Sequence, residues 1–326
     1  MLEVRNENIL MTVCIPVFNS ANTIKNMINS IIVSKRNDFE VLVVDSGSSD
    51  NTLEIVREIS DCRVRTVCIE KTVTYGEKIF ESGKYAEGKY LMYAIDRHCF
   101  SSYKFDELLE YLEHKEDILG GMCAPLKTGQ YMVYENTIDK LTNFAYQQEH
   151  IVGHFFLTDL YKSFANQVSE MNYGIFPFEY IYALICLLKG KLVKYNVIYQ
   201  VESDYICCRN LTRSNKPNKD AYYMPIGRIK FLHSAIKHLC RLEISQKEKY
   251  KVASKLYKMA TKCFLNEYKY MMTDTRFCTH NRLKMKYIEQ YKLWFYHIMM
   301  FCVYFANCIK IALCRVNGVR TGKVEN

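Results

Sequence analysis

Apolar and polar positions alternate along the first two hundred residues with two distinct periods. MTVCIPVF at 11–18 is a continuous apolar run, as a strand buried on both faces requires, whereas 22–33 sets Ile24, Met27, Ile28 and Ile31 on one helical stripe. The alternation continues with a strand at 39–47, a helix at 50–59, a strand at 64–69, a helix at 75–86 and a strand at 90–96. It then predicts a helix over 105–114, a strand over 119–124, a helix over 136–148, a strand over 152–157, a helix over 178–189 and a strand over 192–200. Strands alternating with helices of this length build βαβ units around a parallel sheet, which makes the first part an α/β domain. The polar, basic stretch 203–222 ends it, and beyond this the spacing is helical to about residue 313. The expected organisation is an α/β domain over 1–210 and a basic helical region over 211–326.

In parallel α/β sheets ligands sit beyond the carboxyl ends of the strands. Those ends are Pro16–Asn19, Asp45–Ser49 and Asp96–His98, and all three are polar and turn-like. A carboxylate at a strand tip, such as Asp45, suits a ribose hydroxyl or a base N–H. Any βα junction also favours Asp, Gly and Ser for its turn, and Ser49 or Asp50 is placed to cap the next helix. Asp96 and His98 stand two residues apart on a segment expected to be extended, where alternate side chains point the same way, so both could reach one divalent cation. A nucleotide diphosphate leaving group needs such a cation because charge builds on its phosphates as the bond breaks. The same two residues also suit a loop-capping aspartate and a surface histidine.

Composition bounds the picture. With 326 residues, 49% hydrophobic and 24% charged, the chain supports a substantial folded core and excludes wholesale disorder. Its 14 cysteines are scattered with no C-x-x-C pair, as expected of reduced thiols inside a cell, and the N-terminal MLEVRNENIL does not read as a signal peptide. The net charge of +9 is unevenly placed: residues 223–326 hold 20 Lys and Arg against 6 Asp and Glu, and residues 1–222 hold 24 against 29. A basic tail behind an acidic domain points to a polyanionic surface, either phospholipid or nucleic acid. No nucleic-acid-reading module is visible, and KEKYKVASKLYKMATKC at 247–263 interleaves basic and aromatic side chains as an anionic leaflet favours. The apolar run 293–314 has about the length of a membrane span, but it contains His297, Asn307 and Lys310, and an interfacial or a buried helix fits it as well. The expected partner is an anionic membrane surface, not nucleic acid, with the protein on its cytoplasmic side.

CIPVFNSANTIKNMINSI, VLVVDSGSSDNTLEIV and AEGKYLMYAIDRH resemble the opening of a family 2 glycosyltransferase with the GT-A fold. That family shows I-P-x-[YF]-N, then V-V-D-[DS]-G-S-x-D-x-T, then A-x-G-x-Y-[IL] leading into D-x-D, and order and spacing all match over about residues 10–100. The resemblance implies a Rossmann-like, mostly parallel sheet flanked by helices, followed here by the helical C-terminal region. It implies that Pro16, Phe18, Asn19 and Ser46 line the nucleotide pocket and that Asp45 binds the base or ribose, usually of a uridine nucleotide. Asp96 becomes the first carboxylate of D-x-D, while His98 replaces the second. Histidine is a competent ligand for Mn²⁺ and a poor one for Mg²⁺, so the implied cofactor is a divalent metal with Mn²⁺ preferred. The segment DRHCF is also similar to the Asp-x-His metal motif of the polypeptide GalNAc-transferases, a different GT-A family.

Inverting members place their catalytic base at the start of a late helix, about eleven residues before a glycine that precedes a strand. Glu179 stands eleven residues before Gly190, so the resemblance assigns it that role, although an acidic residue in a first helical turn also stabilises the helix dipole. His154 has a lesser claim as an acceptor or metal contact, Lys78 and Lys84 read as solvated, and Arg209 and Arg213 lie in the basic loop. The implied activity moves a sugar from a nucleotide-sugar donor, UDP-linked, to a glycan or lipid-linked acceptor, with inversion, in cell-surface polysaccharide synthesis. The alternatives are a nucleotidyltransferase-like sugar-nucleotide enzyme, for which a glycine-rich phosphate loop is missing, and a transferase-like protein without activity.

Overall fold

The computed structural model describes residues 8–69, 75–135, 152–168 and 190–201, with further positions between 236 and 257 and between 298 and 309. The chain divides into two compact units. In the first, the order is β1 (Met11–Val17), α1 (Ile24–Ile32), β2 (Phe39–Asp45), α2 (Thr52–Arg57), β3 (Val64–Cys68), α3 (Tyr75–Gly83) and β4 (Tyr90–Tyr93). Then follow β5 (His98–Phe100), α4 (Ser102–Glu113), β6 (Ile118–Cys123), β7 (Tyr131–Tyr134), β8 (His154–Leu157), α5 (Thr158–Val168), β9 (Lys191–Tyr195) and β10 (Tyr199–Val201).

Eight strands form one sheet in the order β3-β2-β1-β4-β8-β6-β9-β7, and β5 pairs with β10 in a separate antiparallel ribbon. The pairs β3–β2, β2–β1, β1–β4 and β6–β9 are parallel, while β8 runs antiparallel between β4 and β6. The chain steps outward from β1 through β2 to β3 and returns to the other side of β1 as β4, so the strand order reverses beside β1. The predicted α/β class and its first four strands are therefore observed. The ribbon strand β5, the edge strand β7 and helix α5 have no counterpart in the periodic pattern of the sequence. The predicted helices at 136–148 and 178–189 and the boundary near 210 lie outside the described residues.

One sheet face packs on α1 and α4. The stripe Ile24, Met27, Ile28 and Ile31 of α1, and Phe105, Leu108, Leu109 and Leu112 of α4, lie buried with Val13, Ile15, Val41, Val43 and Met92 of the sheet. Burying each such side chain stabilises the fold by about 1.5–3 kcal/mol. α3 packs against β1, where two buried phenols hold it. The Tyr93 hydroxyl donates to Ile79 O at 2.8 Å and shares a 2.7 Å hydrogen bond with the Tyr161 hydroxyl.

A polar clasp fixes the amino-terminal ends of the strands. Buried Glu40 on β2 takes both Arg65 Nε (3.0 Å) and a terminal Arg65 nitrogen (3.1 Å), together with the Thr12 hydroxyl (2.6 Å). Thr12 Oγ1 in turn accepts the Gly88 N–H at 2.8 Å, which presses the turn before β4 onto β1. The contact leaves no room for a side chain: a Cβ on Gly88 would lie 2.6 Å from Thr12 N and 2.7 Å from Met11 C. The glycine of the A-x-G-x-Y segment is thus a packing requirement.

In the second unit, Ser245 and Glu248 form a reciprocal cap for the helical residues 246–254: the Ser245 N–H donates to Glu248 Oε2 at 3.0 Å and the Glu248 N–H to Ser245 Oγ at 3.3 Å. The described positions 298–309 are helical and expose Ile298, Phe301, Phe305 and Ile309, with the two phenyl rings stacked 6.4 Å apart. Among the described residues no helix is long and apolar enough to cross a membrane.

Gly88→Ala must push backbone away from backbone, so it is expected to lower stability by about 1–3 kcal/mol, the usual range for overpacking. Urea unfolding monitored by circular dichroism reads this, and an unchanged midpoint would show that the turn shifts freely.

Candidate active site

The site is built from the loops that follow β1, β2 and β4. In β1, Cys14 O accepts the Ala94 N–H at 2.9 Å, so Cys14 faces β4 in the ladder. Two residues on, Pro16 faces the same way and has no N–H to give. The β1–β4 pairing stops at Cys14 and Tyr93, whereas β1 stays paired with β2 as far as Val17 and Asp45. The strands therefore part at the point where the strand order reverses, which is where open α/β sheets bind ligands.

Beyond β1, Phe18 is 44% exposed at the loop tip, presenting an aromatic face. Asn19 adopts φ +54°, a left-handed conformation that asparagine tolerates better than most residues. Its N–H donates to Ser48 Oγ and its side-chain oxygen accepts the Ser49 N–H, both at 2.8 Å. Ser20 N–H donates to Thr52 Oγ1 at 2.7 Å and Ala21 N–H to Asp50 Oδ2 at 3.1 Å. The loops after β1 and β2 are thus bonded to each other along their length. Burial raises the Asp50 pKa, but hydrogen bonds from Thr52 and the Ala21 N–H outweigh it and leave the carboxyl below its ordinary value.

Asp45 is only 2% exposed and organises its own turn. Oδ2 accepts the Gly47 and Ser48 N–H groups at 3.0 Å each, and Oδ1 accepts the Ser48 hydroxyl. Gly47 sits at φ +86°, which glycine adopts without strain. A carboxylate has about four acceptor positions, so these three bonds leave one, on Oδ1, for a ligand. Ser46 is tied back to β1, its N–H and its hydroxyl both reaching Val17 O at 3.2 Å.

β4 ends at Tyr93, three residues before the predicted end, and the chain turns. The His98 N–H donates to Ile95 O at 3.1 Å, which places Asp96 and Arg97 at the corners of a turn and His98 at the start of β5. Asp96 and His98 are therefore not on one extended segment, and alternation along a strand does not orient them. Asp96 is half-buried, and its Oδ2 accepts the Thr23 hydroxyl at 3.0 Å, just before α1. His98 is 9% exposed, its ring edge-on to Tyr199 at 5.2 Å, so it is not a surface histidine. Asp96 offers a carboxylate oxygen and His98 an imidazole nitrogen, both donor types that a divalent cation accepts. Among the described residues no three His, Cys, Asp or Glu side chains gather as a metal cage.

Lys84 pairs with Glu81 at 2.6 Å on the surface, as a solvated lysine does. Lys78 departs from that expectation: it is 9% exposed. Burial pushes its pKa down, the carboxylates of Asp96 and Asp45 hold it up, and the Arg97 guanidinium pushes it down again. Helical periodicity alone gave no sign that this lysine turns inward. His154 is buried at the start of β8, opposite Met122 near the carboxyl end of β6. Glu179, Arg209 and Arg213 lie outside the described residues.

Residues 12–164 match the profile of Glycosyl transferase family 2. The chain is 30% identical over 87 residues to UDP-Glc:alpha-D-GlcNAc-diphosphoundecaprenol beta-1,3-glucosyltransferase WfgD of Escherichia coli, covering 27% of this chain and 34% of that protein. It spans between 18% and 34% of the length of the curated relatives it matches. Among solved structures, S. aureus TarS 1–349 in complex with UDP-GlcNAc superposes with a TM-score of 0.58 at 15% identity, over 97% of this chain and 93% of that one. Mannosyltransferase PcManGT from Pyrobaculum calidifontis, in complex with GDP-Man and Mn²⁺, superposes with a TM-score of 0.50 at 12% identity, over 92% and 86%. These likenesses show the GT-A fold.

The bonds to Asp50 give a pH signature. A carboxyl held below its ordinary value of about 4 stabilises the fold fully above that pH and loses the contribution as pH falls through the lowered value. Asp50→Ala is expected to cost about 1–2 kcal/mol at neutral pH. The gap to wild type should narrow near pH 3, as read by urea unfolding at the two pH values. A gap that does not change with pH would mean the carboxylate charge plays no part.

Proposed function

We propose, from the match of residues 12–164 to the profile of Glycosyl transferase family 2, that this chain moves a sugar from a UDP-linked donor to a glycan or lipid-linked acceptor, with inversion, in the synthesis of a cell-surface polysaccharide. The observation that carries the reading is the opening beside Pro16, where the bonded loops bearing Phe18, Asn19, Asp45 and Ser46 meet the turn bearing Asp96. Two relatives support the donor and acceptor classes: WfgD is named for UDP-Glc and a diphosphoundecaprenol-linked sugar, and TarS has been solved with UDP-GlcNAc.

Phe18 offers its ring to the base, and the remaining acceptor position on Asp45 Oδ1 takes a base N–H or a ribose hydroxyl. Asp96 and His98 would hold a divalent cation, with Mn²⁺ favoured by the imidazole; when bound, it offsets the charge that builds on the leaving diphosphate. The PcManGT complex supports a manganese-type ion in this fold. Glu179 removes the proton from the acceptor hydroxyl as that oxygen attacks the anomeric carbon, and the bond from that carbon to the diphosphate oxygen breaks, releasing UDP. The catalytic part spans 1–210. The basic region 211–326 seats it on the anionic cytoplasmic face of a membrane, supported by the exposed row Ile298, Phe301, Phe305 and Ile309 and by the excess of Lys and Arg there.

Calorimetric UDP binding, measured beside product formation from UDP-sugars, tests the chemistry. Glu179→Gln should lower turnover by a factor of about 10² to 10⁴ with UDP affinity near wild type, since the residue faces the acceptor. Asp96→Ala and His98→Ala should each weaken UDP binding in Mn²⁺. Full activity in a chelator rules out the metal, and UDP binding without turnover on any acceptor leaves a transferase-like binding protein.

Flotation with anionic vesicles tests the seat. Removing 293–326 should abolish vesicle binding and leave UDP affinity intact. A truncated protein that still floats places the membrane contact elsewhere.

A further inference from the structure

We propose that Thr23 is a positioning residue for the cation site: its hydroxyl holds the Asp96 carboxylate in place for a divalent ion, so the loop leaving β1 sets metal affinity on the turn leaving β4. This role rests on the reading of Asp96 as a cation ligand given above, and adds to it a residue that the I-P-x-[YF]-N pattern does not reach.

Three observations carry it. First, the Thr23 hydroxyl donates to Asp96 Oδ2 at 3.0 Å and has no better acceptor. Its alternative, Ser20 O at 3.3 Å, already accepts the Thr23 and Ile24 N–H groups at 3.0 Å each, which fills both lone pairs. The single hydroxyl proton therefore goes to the carboxylate, whose charge also makes that bond the stronger. Second, Thr23 is the N-cap of α1 yet makes no side-chain cap bond. A threonine there ordinarily accepts an N–H of the first turn. Local helix chemistry gives way here to a contact 73 residues away in the chain. Third, α1 holds the same segment at a second point, where Ser30 Oγ accepts the Phe100 N–H at 2.9 Å. The stretch from Asp96 to Phe100 is thus tied to one helix at both ends.

Asp96 needs such a hold because it stands at the corner of a turn, past the last β1–β4 backbone bond, where no ladder fixes its side chain. With Oδ2 taken by Thr23, Oδ1 accepts no hydrogen bond among the described residues and stays available to a cation. A carboxylate already held loses less side-chain freedom when the ion binds. The bond also spans the opening beside Pro16, since Thr23 follows the loop bearing Phe18 and Asn19 and Asp96 lies across from it. A purely structural threonine would affect stability and leave metal affinity alone.

The experiment uses the full chain and two probes: Mn²⁺, with the free ion counted by electron paramagnetic resonance, and UDP in EDTA by calorimetry. Thr23→Val keeps the shape and removes the hydroxyl. It should weaken Mn²⁺ about tenfold or more, as expected for losing a group that orients a metal ligand, while UDP affinity in EDTA holds. Thr23→Ser keeps the hydroxyl and should bind Mn²⁺ within about threefold of wild type. In an Asp96→Ala background, Thr23→Val should have no further effect on Mn²⁺, because its route to the ion is gone. Thermal melting checks the fold, and if Thr23→Val is unstable, Thr23→Ala beside Thr23→Ser carries the same contrast. Unchanged Mn²⁺ affinity without the hydroxyl overturns the assignment. Equal losses in Thr23→Val and Thr23→Ser, an added loss in the Asp96→Ala background, or weaker UDP binding in EDTA overturn it too. Wild-type protein that binds UDP but no Mn²⁺ removes the metal reading and this role with it, while the donor reading stands; protein that binds neither removes both.

Discussion

The sheet opens because one residue in its central strand cannot donate a hydrogen bond. Pro16 faces β4 in the ladder, and without an N–H the β1–β4 pairing ends while β1–β2 pairing runs on to Val17 and Asp45. A proline inside a central strand normally argues against the strand. Here it falls at the last positions, where the missing bond separates two neighbours and leaves an opening at the reversal of strand order. Phe18 and Asn19 stand on one side of that opening and Ala94 to Arg97 on the other. The family segment I-P-x-F-N is therefore first a statement about backbone hydrogen bonding, and only then about side chains that touch a ligand.

An opening of this kind is useful only if its sides are fixed, and the opposite end of the strands fixes them. Thr12, Glu40 and Arg65 lock β1, β2 and β3 together, and Gly88 sits against the backbone of β1. A slip of one residue in β4 would turn its core face outward, so the clasp also determines how far β4 reaches before Asp96. At the working end the loops are bonded to each other through Asn19, Asp45 and Asp50, with no slack awaiting a ligand. Such preorganisation lowers the ordering entropy that binding must overcome.

Much of this was legible in the residues because it depends on local chemistry. The apolar runs of β1, β2 and β4 and the stripe of α1 are periodic signals, and the Asp-Gly-Ser turn after β2 is a backbone requirement written in residue types. What could not be read depends on contacts between distant segments. Tyr93 ends β4 because the chain turns through Ile95–His98, although the apolar pattern runs on through Ile95. β8 carries no mark of its antiparallel direction, which follows from its place between β4 and β6. β7 exposes Tyr131, Met132 and Val133 at the sheet edge, so its composition lacks the alternation of a half-buried strand. Lys78 looks in sequence like Lys84, and only the packing of α3 separates the buried cation from the solvated one.

The charge distribution reconciles two facts that conflict at the level of the whole chain. The first 222 residues carry more acidic than basic groups, yet the ligand proposed for them is a dianion. Net charge acts at a distance, and at physiological salt its reach is only about 8 Å. Inside the site the nearby groups decide, and there the Lys78 ammonium feels the Asp96 and Asp45 carboxylates and the Arg97 guanidinium. The surplus of Lys and Arg after residue 222 suits an extended anionic surface, where many weak contacts add.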